Sequence, residues 1–186
     1  MLGHLCLPVR VLPLPLRSHY NRLRRGVLAF VPSLIQCDDQ LAQERLIPAE
    51  YGLFQQMDVR DKQHALWVAQ ALLEHDPLAS DTLVAAALLH DIGKCEAPFH
   101  ALERIAVHLL AVPFSTTFST PLIPPAYPKL SGWRGAWQRK CHHERYGAER
   151  INQAGGRARV AAIIAACHAD TCDPEVCLLS RVDACF

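Results

Sequence analysis

The chain has 186 residues, of which 51% are hydrophobic and 20% are charged, and its formal net charge is +1. A chain of this length and composition can form a sizeable single core, which excludes a disordered chain. The low net charge excludes a general polyanion binder. No Asp or Glu precedes Asp38, so basic charge is concentrated near the start. Because Pro8, Pro13 and Pro15 interrupt any continuous amphipathic helix there, we expect residues 1–47 to form a basic extension with short helices, not a targeting segment.

Apolar spacing and capping residues predict helices along most of the chain, with almost no strand signal. Asp58 and either Ser80 or Asp81 are suitable N-caps, and Pro48 suits the first turn of a helix. The predicted helices cover residues 22–31, 48–57, 58–74, 80–91, 99–112, 133–153, 157–169 and 174–186. The sequence therefore predicts an all-α fold.

A stretch at about residues 113–132 breaks the helical pattern with Pro, Ser, Thr and scattered aromatic residues. We expect an irregular insertion that is either functional or mobile, inside a domain that spans residues 48–186. Its aromatic side chains could stack on a base or pin the loop to the core, and the second role is the more common one.

The eight cysteines favour neither a disulfide framework nor a zinc cluster, since no Cys-x-x-Cys pair occurs. Cys167, Cys172 and Cys177 recur at a spacing that places them on different faces of a helix. Other cysteines lie in apolar runs, where the thiol behaves as a small hydrophobic group. We therefore expect reduced thiols and a cytoplasmic protein.

The most informative stretch is an apolar helix that ends in His90 and Asp91 and is followed by Ile-Gly-Lys. Adjacent helical residues point about 100° apart, so both side chains can face one ion only where the helix ends. An imidazole and a carboxylate together suit a transition metal. The structural alternative is a polar helix C-terminus, in which the helix dipole favours His90 and Gly93 is a left-handed cap.

Four more positions place a single His or Asp among residues with helical spacing, as metal ligands scattered over several helices do. They are His64, His143, His168 and Asp183. Each one taken singly is more often structural, but a buried charge such as Asp183 is costly unless it is paired or bound to metal.

The sequence resembles the HD superfamily of metal-dependent phosphohydrolases in the order of these residues. His64 comes first, the pair His90 and Asp91 follows, and Asp183 lies near the end. The apolar residues followed by His-Asp-Ile-Gly-Lys are the most recognisable segment of that family. The resemblance covers about residues 48–186 and implies an HD-domain helical bundle. It also implies that these four residues hold one metal ion.

The His-x-x-x-Gly-Ala-Glu pattern that begins at His143 resembles the HD members that hold a second metal, and His168 follows where those members place another histidine. The resemblance implies that Asp91 bridges to a second ion held by His143 and His168. The expected cofactors are two divalent ions of Fe, Mn, Ni or Zn, with Mg as a further candidate. His142 competes with His143 for this role, and the spacing to Gly147 favours His143.

The resemblance implies a phosphohydrolase that cleaves a phosphomonoester or phosphodiester of a nucleotide with metal-activated water, with Asp91 and Lys94 as catalytic residues. Lys94 matches a lysine that lies near the bound phosphate in many members. With His142 and Arg145 it forms the predicted substrate-binding set, although Arg145 could equally be a solvated helix charge. Members that cleave cyclic di-GMP carry a Gly-Tyr-Pro segment, which this sequence lacks, so we do not expect that substrate.

The alternative function is a non-catalytic, metal-binding HD module that binds a nucleotide or a protein partner. The lack of a recognisable second domain that supplies an input or an output favours this alternative. The complete ligand set and the presence of Lys94 disfavour it. We expect no specific binding to nucleic acid and no membrane contact, and the sequence makes no prediction of the oligomeric state.

Overall fold

The computed structural model describes residues 37–95, 132–167, 169 and 171–186, with the backbone alone for residues 132–141. These ranges contain seven α-helices, one 3₁₀ turn and no strand. The elements are α1 Gln40–Arg45, α2 Pro48–Gln56, α3 Val59–His75, α4 Asp81–Leu89, the 3₁₀ turn Ile92–Lys94, α5 Gly132–Gln153, α6 Ala158–Ala166 and α7 Pro174–Asp183. The prediction of an all-α fold is thus confirmed. The predicted helices at 22–31 and 99–112, the insertion up to residue 131 and His168 lie outside the described residues.

Two helix N-termini in the described ranges have the predicted caps. The Asp58 carboxylate accepts a hydrogen bond from the Arg60 amide at 2.9 Å, and the Ser80 hydroxyl accepts one from the Leu83 amide at 3.1 Å. Each cap satisfies an amide that the first helical turn leaves without an intrahelical partner. The chain leaves α5 through Gly155 with φ of +78°, a conformation that glycine adopts without strain.

Helix α4 lies at the centre of the bundle. Every residue from Leu83 to Leu89 is buried, which is expected of a helix that is apolar on all faces. Helix α3 and helix α6 pack against it, and α5 packs against α6 and against the 3₁₀ turn that follows α4. The C-terminal end of α4, with His90 and Asp91, therefore opens into the interior of the bundle.

A buried ion pair joins the N-terminal helices to the turn before α6. The Glu50 side chain is fully buried and accepts hydrogen bonds from Arg157, at 2.9 Å from the amide and at 3.0 and 2.7 Å from the guanidinium. The same guanidinium donates to the Arg45 carbonyl at 2.9 Å. Burial of this charge is tolerated because both carboxylate oxygens have close donors.

In the described ranges, no helix combines the length and apolar character needed to cross a membrane.

We predict that Glu50→Gln lowers the free energy of unfolding by about 3 kcal/mol, because it leaves the Arg157 guanidinium without its counter-charge in a largely buried place. Urea denaturation followed by circular dichroism measures this loss. The control is Asp81→Asn, which breaks the more exposed pair between Arg45 and Asp81 and should cost about 1 kcal/mol or less. Equal losses in the two variants would contradict the role given to Glu50.

Candidate metal centre

His90 follows the last residue of α4 and is 4% exposed. Its Nδ1 donates a hydrogen bond to the Ala87 carbonyl at 2.9 Å, since a carbonyl oxygen can only accept. This bond turns Nε2 towards the bundle interior, where it makes no hydrogen bond to any described residue. The carboxylate oxygens Oδ1 of Asp91 and Oδ1 of Asp183 each lie 3.5 Å from that nitrogen. The imidazole is thus held in the orientation of a metal ligand.

His64 reaches the same place from α3, and Asp183 from the last residue of α7. The His64 Nε2 lies 3.0 Å from Asp183 Oδ1 and 4.0 Å from Asp91 Oδ2. The His64 ring meets the His90 ring edge-on with centroids 5.1 Å apart, and Phe186 packs on its other side at 6.2 Å. The four side chains that the sequence placed around the first ion therefore converge.

The geometry of this cluster fits a divalent metal ion. An ion bonded at about 2.0–2.2 Å places neighbouring ligand atoms about 2.8–3.6 Å apart. The His64–Asp183, His90–Asp91 and His90–Asp183 atom pairs, at 3.0, 3.5 and 3.5 Å, fall in this range. In addition, His90 Nε2 and Asp91 Oδ2 are buried without a hydrogen bond to any described residue. Buried polar atoms of this kind call for a partner, and two imidazoles with two carboxylates suit a transition metal.

Strong electrostatic coupling holds the cluster together when no cation is bound. Burial disfavours a charged His90, but the carboxylates of Asp91 and Asp183 outweigh it and raise the pKa of His90 to about 9. Burial likewise disfavours a charged Asp91, yet the Lys94 ammonium and the surrounding imidazoles hold the pKa of that carboxyl well below its usual range. Burial is also outweighed at Asp183, where His64 and His90 lower the pKa. Binding of a metal ion by His90 would therefore require that this imidazole lose a proton near neutral pH.

Lys94 ends the 3₁₀ turn beside the cluster. Its amide donates to the Asp91 carbonyl at 2.9 Å, and its Nζ lies 2.5 Å from Asp91 Oδ1. The lysine side chain is 25% exposed, whereas that of Asp91 is 2% exposed. The ammonium group thus lies between the buried carboxylate and the solvent, where an incoming anion would meet it.

Gly93 is not a left-handed cap, so that part of the structural alternative is wrong. Among the glycines that the structure describes, positive φ is found at Gly155 and not at Gly93. Glycine is required at this position because there is no room for a side chain. A Cβ on Gly93 would lie 2.0 Å from the His143 carbonyl oxygen and 2.8 Å from the Gly147 amide nitrogen. The absence of a side chain lets α5 pass directly over the 3₁₀ turn.

This close crossing brings His143 to the cluster. Its Nε2 lies 3.6 Å from Asp91 Oδ1 and 3.4 Å from Glu144 Oε1, and its side chain is 13% exposed. The same Asp91 oxygen therefore has imidazole nitrogens of both His90 and His143 within 3.6 Å. His168, the other predicted ligand of the second ion, lies outside the described residues.

The remaining predicted residues are less closely tied to the cluster. The His142 ring packs edge-on against Tyr146, with centroids 6.3 Å apart, and Arg145 is exposed. Their roles in substrate binding stay predictions. Sequence reasoning missed Glu144, because a Glu next to a helical His is usually a solvated charge and no pattern marked its direction.

The comparisons with known proteins agree with the geometry. A family model described as HD domain matches residues 62–185, a range that includes every residue of the cluster from His64 to Asp183. Because the match covers well over half of the sequence, the chain belongs to the HD domain family, whose members are in general metal-dependent phosphohydrolases. Searches of curated proteins and of solved structures give no match.

We predict that Asp91→Asn weakens divalent metal binding by more than about 100-fold, since it removes the carboxylate that three imidazoles share. Loss of a residue that only hydrogen-bonds to a metal ligand already costs about 10–100-fold in affinity, and loss of a ligand should cost more. Metal content after dialysis, measured by inductively coupled plasma mass spectrometry, tests this. Asp81→Asn, at the opposite end of the same helix, is the matched control and should keep its metal. Equal metal content in Asp91→Asn and the wild type would refute the role of Asp91.

We predict that Gly93→Ala lowers the free energy of unfolding by about 3 kcal/mol or more, because the added methyl group meets backbone atoms that cannot rotate away. Gly52→Ala is the control, since a Cβ there meets nothing within 4 Å on an exposed part of α2. This change should stabilise the protein by about 0.5–1 kcal/mol. Urea titration of both variants checks the opposite signs, and a neutral Gly93→Ala would disprove the close crossing.

Proposed function

We propose that the protein is a phosphohydrolase that uses two divalent metal ions to cleave a phosphomonoester or phosphodiester of a nucleotide. The observation that carries the proposal is the environment of Asp91. This carboxylate is 2% exposed and has the Nε2 atoms of His64, His90 and His143 within 4.0 Å and the Lys94 ammonium at 2.5 Å. Membership in the HD domain family supports the same reaction class.

In this proposal His64, His90, Asp91 and Asp183 hold the first ion. Asp91 is shared with a second ion, which His143 binds together with His168 outside the described residues. When bound, such a pair supplies Lewis acidity and lowers the pKa of a water molecule towards neutrality.

The side chains of the protein supply orientation and charge. His90 is held by its bond to Ala87, so its ligand nitrogen needs no reorganisation. The partly exposed Lys94 ammonium places a positive charge at the mouth of the cluster, where it can bind a phosphoryl oxygen and stabilise a leaving oxygen that becomes anionic. We assign His142 and Arg145 to the outer part of the same anion site.

We propose a reducing cytoplasm as the setting and assign the described cysteines no role as metal ligands. None of the described cysteines forms a disulfide. Burial, reinforced by the Asp61 charge, raises the pKa of Cys95 to about 11, so this thiol stays protonated and is a poor metal ligand. We also keep residues 48–186 as the proposed domain, although α1 precedes that range and buries Ala42 in the core.

A non-catalytic HD module is the second candidate, and one observation favours it. The Lys94 ammonium, the group expected to bind a phosphate, already pairs with Asp91 at 2.5 Å. A metal-binding module without catalytic activity could use Lys94 for this pairing alone and bind a nucleotide or a protein partner elsewhere.

We predict that Lys94→Met lowers kcat by roughly 100-fold or more while metal content and folding are preserved, because it removes one electrostatic donor and keeps most of the aliphatic stem. The assay measures phosphate or nucleotide release from a panel of nucleotide mono- and diesters with Mn²⁺, Fe²⁺, Ni²⁺ or Mg²⁺ added. The control is Lys62→Met. Lys62 belongs to α3, and its ammonium lies over the Phe54 ring of α2, away from the cluster.

Two outcomes would contradict parts of the proposal. If Lys94→Met hydrolyses every ester as fast as the wild type, Lys94 is a solvated charge at the end of the turn. If the wild type binds metal but hydrolyses nothing in the panel, the non-catalytic module is the better description.

A further inference from the structure

Glu144 directly follows His143 inside α5, where adjacent side chains leave the helix about 100° apart. The longer Glu144 side chain nevertheless reaches the His143 imidazole. Its Oε1 is 3.4 Å from His143 Nε2, the nitrogen that is also 3.6 Å from Asp91 Oδ1. The Glu144 side chain is 18% exposed, in contrast to the next residue, Arg145, which is exposed. Glu144 therefore belongs to the inner face of α5, although neither the HD pattern nor the predicted ligand set includes it.

The two distances from His143 Nε2 are compatible with ligands around one cation. Neighbouring ligand atoms of an ion bonded at about 2.0–2.2 Å lie about 2.8–3.6 Å apart. Both distances from His143 Nε2, to Glu144 and to Asp91, are in that range. Asp91 is also the residue whose other oxygen, Oδ2, is buried without a hydrogen bond to any described residue. The carboxylate that two ions would share is thus placed between two sets of imidazole and carboxylate ligands.

The charges of the described residues around Asp91 favour a third carboxylate in a site with two ions. Two divalent ions would bring four positive charges, and the Lys94 ammonium adds a fifth next to the shared oxygen. Within the described part of the predicted ligand set, Asp91 and Asp183 would offset two of these charges and leave three in a mostly buried space. Glu144 removes one more, and it does so on the side of His143, where the second ion would otherwise have only the shared carboxylate among the described residues.

We infer that Glu144 is a metal ligand that, with His143 and the shared Asp91, holds the second divalent cation. The inference rests on the proposed binuclear centre and adds a carboxylate to it. The residual charge of the loaded site, two positive charges including that of Lys94, matches the dianion of a phosphate monoester.

The test is a titration of the full chain with Mn²⁺, in which electron paramagnetic resonance measures free Mn²⁺ and detects coupling between two bound ions. The wild type should bind two ions and show the coupled signal. Glu144→Gln keeps the shape of the side chain and removes its charge, so the second ion should bind at least about 10-fold more weakly and the coupled signal should be lost. Binding of the first ion should change by less than about twofold, which also reports an intact fold.

The matched control is Glu149→Gln, on the same helix, where the carboxylate accepts a hydrogen bond from Gln153 at 3.4 Å. This variant should bind both ions as the wild type does. Retention of two coupled ions by Glu144→Gln would overturn the inference, and so would a wild type that binds a single ion.

Failure of the proposed function would look different. If the wild type binds two ions and Glu144→Gln loses one, but no ester is hydrolysed, Glu144 is a ligand in a non-catalytic protein. If the wild type binds one ion and still hydrolyses esters, the phosphohydrolase proposal stands with one metal and the role of Glu144 is refuted.

Discussion

The metal centre depends on a backbone contact between two segments that are far apart in the sequence. The 3₁₀ turn after α4 and the middle of α5 approach so closely at Gly93 that a single methyl group would meet the His143 carbonyl at 2.0 Å. Because that carbonyl belongs to the residue whose imidazole faces Asp91, the contact fixes the distance between the two ends of the site. A larger residue would separate His143 from Asp91 before it changed any ligand, so the geometry of the centre is set by packing.

The apolar helix α4 explains why the cluster is so tightly coupled. Its fully buried residues carry His90 and Asp91 into the bundle interior, where water screens charges poorly. Charged groups remain there only with close partners, and the imidazoles, the carboxylates and Lys94 supply those partners. The same poor screening strengthens the attraction of the cluster for a cation and, in the proposed function, the attraction of the loaded site for a phosphate.

Sequence patterns predicted the parts of the site that periodicity and capping control. His64 and Asp183 stood out because each interrupts an apolar helical stripe, and Asp58 and Ser80 are N-caps as predicted. The reason for Gly93 was misjudged, since a glycine after a helix commonly indicates positive φ and the sequence contains no information on which helix crosses above it. The pairing of Glu50 with Arg157, 107 residues later, also depends on the tertiary arrangement.

Lys94 and Glu144 lie on either side of the same carboxylate–imidazole pair and have opposite effects on it. The lysine contacts Asp91 Oδ1 directly, and an ion shared by that oxygen has to displace the ammonium or tolerate it at close range. In the inferred centre, Glu144 would offset this repulsion from the side of His143. A lysine that moves off Asp91 would stay anchored in the 3₁₀ turn, so its charge would remain at the partly exposed edge of the cluster. In the proposed function, the same side chain would then serve either the buried carboxylate or an incoming phosphate.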